Sequence, residues 1–215
     1  MHFQRFSLSK NAELLPGLVR CYQDVFATLP WGEWRKCAVC DTHWGIESSG
    51  ELEATGFLHC GVPIQAYWPA DEVERDLVRE LTIPGVSCWL AFDESRIIGF
   101  THGYPVDVCE IDRHLGLDGV GSSIIEAFGS ISSIAYQDEM GVIAEYRGLK
   151  IAAELFRLRN VDFKALGLST GVVRTMTNPP TVTYRWYNAI GYQTVGRYDD
   201  NGGRVVLARL ISDLP

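Results

Sequence analysis

The chain has 215 residues, 47% apolar and 21% charged, which is ordinary globular composition with enough length for one sizeable core and a small appended module. A net charge of −8, with no cluster of Lys and Arg to reverse it locally, leaves no electrostatic footprint for nucleic acid. No segment reaches the roughly 18 apolar residues of a membrane span, and the opening MHFQRFSLSK lacks the apolar run of a signal peptide. The expectation is a cytoplasmic protein without a nucleic-acid or membrane partner.

In chain order, Leu14, Leu15, Leu18, Val19, Tyr22, Val25 and Phe26 fall at helical spacing, which predicts an amphipathic helix from Asn11 to Ala27 ending near Pro30. From Lys36 to about Tyr67 the periodicity is lost among Gly, Ser and short polar runs. At most two short strands are expected there, and residues 36–67 read as an insertion near the N-terminus. PADEVERDLVREL predicts a helix with Pro69 near its first turn and Asp71 and Glu72 toward the positive end of its dipole. GVSCWLAFD and RIIGFTHGYPV, joined by DES, read as an antiparallel hairpin. Residues 107–130 predict a long excursion, helical around Ser122 to Phe128. After it come a strand from Ser132 to Ile143, a helix to about Leu166 with Ile151, Leu155 and Leu158 on one face, the strand LSTGVVRTMT, the short helix VTYRWYNAI, and a closing hairpin across DDNGG.

Six cysteines in a reducing compartment do not suggest a disulfide framework, and Cys21, Cys88 and Cys109 read as buried small residues. Cys37 and Cys40 have the two-residue gap that lets two thiolates face one tetrahedral Zn2+; Cys60, followed by Gly61, supplies a third sulfur. His43, three residues after Cys40, and His59, beside Cys60, both remain open as the fourth ligand, the latter only if the chain kinks. Three free cysteines, or a redox pair at Cys37 and Cys40, are the competing readings.

The stretch GVIAEYRGLKIAAELF carries a strand into a helix through a charged corner. A helix that begins there aims unpartnered N–H groups outward at the positive end of its dipole, Gly148 lets a ligand approach the backbone, and Arg147 and Lys150 add charge suited to a pyrophosphate. The bland reading is a turn with two solvated cations.

This corner and the order of elements resemble the GNAT superfamily of acetyl-CoA-dependent N-acyltransferases. In that family the corner reads Arg or Gln, two residues, Gly, one residue, then Gly or Ala; Arg147 and Ala152 match its ends, and Lys150 stands where the middle glycine usually is. DEMGVIAEYRG resembles the family's fourth strand, YNAIGYQTVG its late Tyr, three residues, Gly, aromatic pattern, and SCWLAFDESRIIGFTHGY its Val/Ile-Gly-Phe hairpin. Together these cover roughly Pro69 to Leu210.

The resemblance implies an α/β (α+β) GNAT fold, in which a central mixed, mostly antiparallel sheet is flanked by helices, formed by one domain over residues 1–215. It implies acetyl transfer from acetyl-CoA to a primary amine of a small molecule or protein. Glu139 would be the base, alone or through a water, with Asp138 as its neighbour on the other face of the strand; Tyr187 would be the acid for the departing thiolate, or else simply packed. Val142 and Ile143 would line the pantetheine, Arg147, Gly148, Leu149, Lys150, Ile151 and Ala152 would hold the pyrophosphate, and Asn178 would touch the cofactor. A homodimer is compatible with this reading. The alternative is a binding module that holds acyl-CoA and recruits a partner through a zinc-ordered insertion, and a plain redox protein ranks last. His102, Asp107, Glu110, Asp112 and His114 give the chain an acidic, titratable stretch compatible with a cationic amine.

Overall fold

The computed structural model describes residues 1–177, 181–197 and 203–211. The elements run β1 (His2–Arg5), α1 (Leu8–Asn11), α2 (Leu15–Ala27), β2 (Arg35–Lys36), β3 (His43–Trp44), α3 (Ser49–Ala54), β4 (Leu58–His59), β5 (Val62–Pro63), β6 (Gln65–Ala66) and α4 (Ala70–Leu81). They continue β7 (Ser87–Asp93), β8 (Arg96–Asp107), α5 (Ile111–Leu115), α6 (Val120–Phe128), β9 (Ser133–Val142), α7 (Ile151–Ala165), β10 (Thr170–Met176), α8 (Val182–Ala189), β11 (Gln193–Arg197) and β12 (Arg204–Leu210). A seven-stranded sheet has the order β1-β7-β8-β9-β10-β12-β11, with β9 and β10 parallel and β1/β7, β10/β12 and β11/β12 antiparallel. This is the mixed α/β architecture, mostly antiparallel and flanked by helices, that the sequence led us to expect. Among the described residues no helix is long and apolar enough to cross a membrane.

Three local expectations need correction. β1 is an unpredicted strand: HFQR is too short to display alternation, and its pairing with β7 orders it. The helix expected from Asn11 begins at Leu15, because Asn11 folds back, accepting from Ser7 N–H at 2.8 Å and donating to the Arg5 carbonyl at 3.1 Å. Residues 36–67 hold the helix α3 and several two-residue strands in small sheets ordered β3-β2-β6 and β4-β5, where at most two strands were expected. Segments that short carry no readable period. Cys21 and Cys88 are buried, but Cys109 is exposed. The expected DDNGG turn lies largely outside the described residues.

The chain divides into two compact units. The first comprises Met1–Thr82, Trp89–Phe100 and Gly141–Leu155. Within it α2 buries Leu18, Val19, Val25 and Phe26, α4 buries Val73, Leu77 and Leu81 at a four-residue interval, and Leu90, Phe92, Ile98 and Phe100 are buried along the strands. Each such side chain is worth about 1.5–3 kcal/mol when removed from water. Gly141 marks a tight approach: a Cβ there would lie 2.5 Å from Val25.

The second unit comprises Ile83–Cys88, Thr101–Met140 and Phe156–Pro215. Strand alternation divides its core. Ile134, Tyr136, Val172, Val206 and Ala208 pack with Ile111, Leu115, Val120 and Ile124 of α5 and α6. The intervening Ala135, Val173, Val205 and Leu207 pack with Phe156 and Phe163 of α7 and Tyr187 of α8.

Candidate functional site

In the first unit, β9 ends at Val142 and Ile143 N–H donates to the Ile98 carbonyl at 3.0 Å. A 3-10 turn, Ala144–Tyr146, follows, pinned by the Tyr146 hydroxyl donating to Asp93 at 2.6 Å. The chain then takes two left-handed steps, Gly148 at φ +83 and Lys150 at φ +62, before α7 starts at Ile151. Lysine at the glycine position therefore keeps a backbone conformation that glycine adopts without strain. Gly148, Leu149 and Lys150 are exposed, whereas Val142, Ile143 and Ile151 are buried and Ala152 is half-buried. The first-turn N–H groups of α7 have no partners within the helix.

Arg147 departs from expectation. Its Nε donates to the Val142 carbonyl at 3.0 Å, Nη1 to the Leu29 carbonyl, and Nη2 to Thr28 Oγ1 at 2.9 Å and the Val25 carbonyl at 3.4 Å. Four acceptors absorb the guanidinium and tie the corner to the C-terminal end of α2. Lys150 is the other exposed cation of the corner.

The second unit encloses a polar network. Arg159 of α7 is fully buried; its Nη1 donates to Thr101 Oγ1 at 2.7 Å and to the His102 and Glu139 carbonyls at 3.0 and 3.3 Å. Its Nη2 donates to Gln137 Oε1 at 3.2 Å and to the Tyr187 hydroxyl at 3.3 Å. The same Gln137 oxygen accepts from the Tyr187 and Tyr192 hydroxyls at 3.2 and 3.0 Å, while its amide donates to Asn160 Oδ1 at 2.9 Å. Tyr187, 2% exposed, is thus a buried member of a network and spends its proton on Gln137. Burial raises its pKa, and the adjacent Arg159 charge works against that rise.

Glu139 is half-buried on β9, and its carbonyl also accepts from Thr101 Oγ1 at 3.0 Å. Asp138 accepts from the Tyr104 hydroxyl at 2.9 Å and lies 3.7 Å from His102 Nε2. Burial opposes its ionisation, but His102, Tyr104 and the Arg174 charge together hold the carboxyl below the ordinary range.

In the 36–67 segment, ligand atoms of Cys37, Cys40, His59 and Cys60 all lie within 4.8 Å of one another. Cys40 Sγ is 3.5 Å and Cys60 Sγ 3.3 Å from His59 Nδ1, and the two sulfurs are 3.7 Å apart. Val39 N–H points at Cys37 Sγ at 3.4 Å, and this hydrogen bond is the largest influence lowering that thiol's pKa. The kink that places His59 beside Cys60 is a two-residue hairpin turn: His59 pairs with Val62, and Cys60 and Gly61 both have positive φ, +51 and +76. His43 stays out of the group; its ring meets Tyr67 edge-on at 5.4 Å. In the same unit Asp24, Glu33, Trp34 and Trp68 line part of a cavity of about 260 Å³.

No family model matches the chain, and no curated protein matches it in sequence. Solved structures do match over nearly the whole length. The PaiA N-acetyltransferase from Thermoplasma acidophilum, solved with coenzyme A, is 13% identical, with 97% of this chain and 98% of that one covered and a TM-score of 0.57. Arylalkylamine N-acetyltransferase 2 from Aedes aegypti is 9% identical, with 98% of each chain covered and a TM-score of 0.58. The chain has the GNAT fold. The Drosophila melanogaster polyamine N-acetyltransferase, 14% identical with 97% and 99% covered at a TM-score of 0.55, shares it.

In this chain the residues singled out from sequence fall into separate places. Val142 to Ala152 form the corner, Glu139 and Tyr187 belong to the second unit, and three cysteines meet His59 without His43. Asn178 lies outside the described residues. Sequence reasoning missed Arg159 and Gln137. A signal was present, since Ile151, Leu155, Arg159 and Phe163 recur every fourth residue and all four are buried, whereas the expected Leu158 is only half-buried. An arginine on an apolar stripe requires partners.

Proposed function

We propose that this GNAT-fold protein transfers an acetyl group from acetyl-CoA to a primary amine. The observation that carries the reading is the corner: at Lys150, the one motif position that departs from the family, the backbone still takes a glycine-type step into the N-terminus of α7. Backbone N–H groups there, joined by Lys150, bind the pyrophosphate, and Arg147 holds the corner in shape. Acetyl-CoA supplies the activated thioester.

Glu139, directly or through a water, takes the proton of the attacking amine as the new N–C bond forms and the C–S bond breaks. Tyr187 gives its proton to the departing sulfur, and Arg159, 3.3 Å from that hydroxyl, stabilises the phenolate that results. A non-catalytic acyl-CoA-binding module is the second reading, favoured by the commitment of the Tyr187 proton to Gln137.

Titration calorimetry with acetyl-CoA, followed by a CoA-thiol release assay over polyamines, agmatine and arylalkylamines, tests both. Heat with turnover supports the enzyme, heat without turnover the binding module, and no heat from folded protein removes both. Tyr187→Phe is expected to lower kcat while leaving acetyl-CoA affinity intact; loss of both together assigns Tyr187 to packing.

A further inference from the structure

The 36–67 segment lacks a core of its own: of its residues only Cys37 and Leu52 are buried. Yet residues from its two ends converge. Cys37 and Cys40 come from the β2–β3 connection, and His59 and Cys60 from the β4–β5 hairpin. Those connections share no strand pairing with each other.

The spacing of the donor atoms identifies what they suit. A tetrahedral ion with metal–sulfur bonds of about 2.3 Å and metal–nitrogen bonds of about 2.0–2.1 Å sets its sulfurs about 3.8 Å apart and its sulfur–nitrogen edges at about 3.5 Å. The corresponding separations here are 3.7 Å for Cys40 to Cys60, 3.5 Å for Cys40 to His59 Nδ1 and 3.3 Å for Cys60 to His59 Nδ1. A disulfide would need its sulfurs at about 2.0 Å, and all six cysteines are free.

Backbone strain points the same way. Cys60 occupies a left-handed position, φ +51, in a turn where glycine or asparagine would be easier. An unstrained residue there would remove the third sulfur. The Val39 N–H directed at Cys37 Sγ is the kind of hydrogen bond that stabilises a ligating thiolate.

We infer that Cys37, Cys40, Cys60 and His59, the last through Nδ1, form a closed tetrahedral site for a zinc-class ion that is structural and not catalytic. Four protein donors fill the coordination shell and leave no position for water or substrate. The ion cross-links two hairpins and thereby fixes the small sheet β3-β2-β6, whose Arg35, with the adjacent Trp34, lines the 260 Å³ cavity. The site does not depend on acetyl transfer.

Metal analysis of the full chain purified under reducing conditions is the first test, with close to one equivalent of zinc expected. Replacement by Co2+ is expected to give the intense visible bands of a tetrahedral ion together with thiolate charge transfer. The variants separate the two histidines: His59→Ala is expected to weaken metal affinity by more than about 100-fold, beyond the loss caused by removing a mere supporting contact, while His43→Ala leaves it unchanged. His59→Cys is expected to restore binding. Metal-free reduced protein, an octahedral cobalt spectrum, a Cys40–Cys60 disulfide in place of metal, or equal effects at His43 and His59 would each overturn the assignment. The cobalt spectrum of the unaltered chain decides the matter even if His59→Ala does not fold.

Discussion

The 36–67 segment and the sheet face beneath α7 both gather polar side chains around a centre, but they are held in opposite ways. Around Arg159, which is fully buried, carbonyl, amide and hydroxyl partners receive the guanidinium. In the segment, four electron-rich donors face one another with few apolar residues nearby. The first arrangement pairs both terminal nitrogens of the guanidinium and leaves only its buried Nε without a partner. The second is the arrangement that we propose an ion completes. A protein interior can thus order polar groups by burying them among matched partners, or it can order a coreless loop by giving its donors a common cation.

The strongest way to break this comparison is to remove the centre of the buried network. Arg159→Ala removes the guanidinium that donates to Thr101, Gln137 and Tyr187, leaves a cavity in its place, and is expected to cost about 3–5 kcal/mol, read by urea unfolding. If the loss is below about 1 kcal/mol, the network is not what holds that face.

Next in size is Asp138→Asn, expected to cost about 1–3 kcal/mol at neutral pH through loss of the carboxylate that meets His102 and Tyr104. The sign of its pH dependence follows from the depressed folded pKa: the Asp138 contribution is full above the ordinary carboxylate range and is lost as pH falls through the lower folded value. The gap between native protein and variant should therefore narrow on acidification. A gap that widens contradicts the assignment.

Removing metal with a chelator sharpens the comparison from the other side. Proteolysis is expected to accelerate about tenfold or more within residues 36–67, while hydrogen exchange at Arg159 and Gln137 stays slow. Equal loss of protection in both places would show that the ion supports more than its own segment.

Lys150→Gly carries the smallest expected effect. Relief of the left-handed lysine raises stability by about 0.5–1 kcal/mol, partly offset by glycine's greater chain entropy. Acetyl-CoA should bind about two- to fivefold more weakly at low salt, with the difference fading as salt rises. Tighter binding by the glycine variant would mean that Lys150 obstructs the corner.

Much of the fold was legible from sequence because its signals are local. Val73, Leu77 and Leu81 announce a helix, and the two apolar runs joined at Glu94 announce a hairpin. β1 and the two-residue strands were not legible, since so few residues show no period and their order comes from distant partners such as Trp89 to Phe92. At the candidate site the corner could be located by its Gly and its charges, and the three cysteines by their spacing. The fate of Arg147 could not: its acceptor at Leu29 lies 118 residues away along the chain.

By itself the sequence determined the order of most of the longer helices and strands, the corner before α7 and the candidate thiol ligands, all of which follow from periodicity and short spacings. Only the tertiary structure brought His59 and not His43 to the three cysteines, engaged Arg147 with four acceptors, and enclosed Arg159 with Tyr187 and Gln137. Those outcomes depend on which remote side chains meet, and on whether a buried donor finds an acceptor when they do.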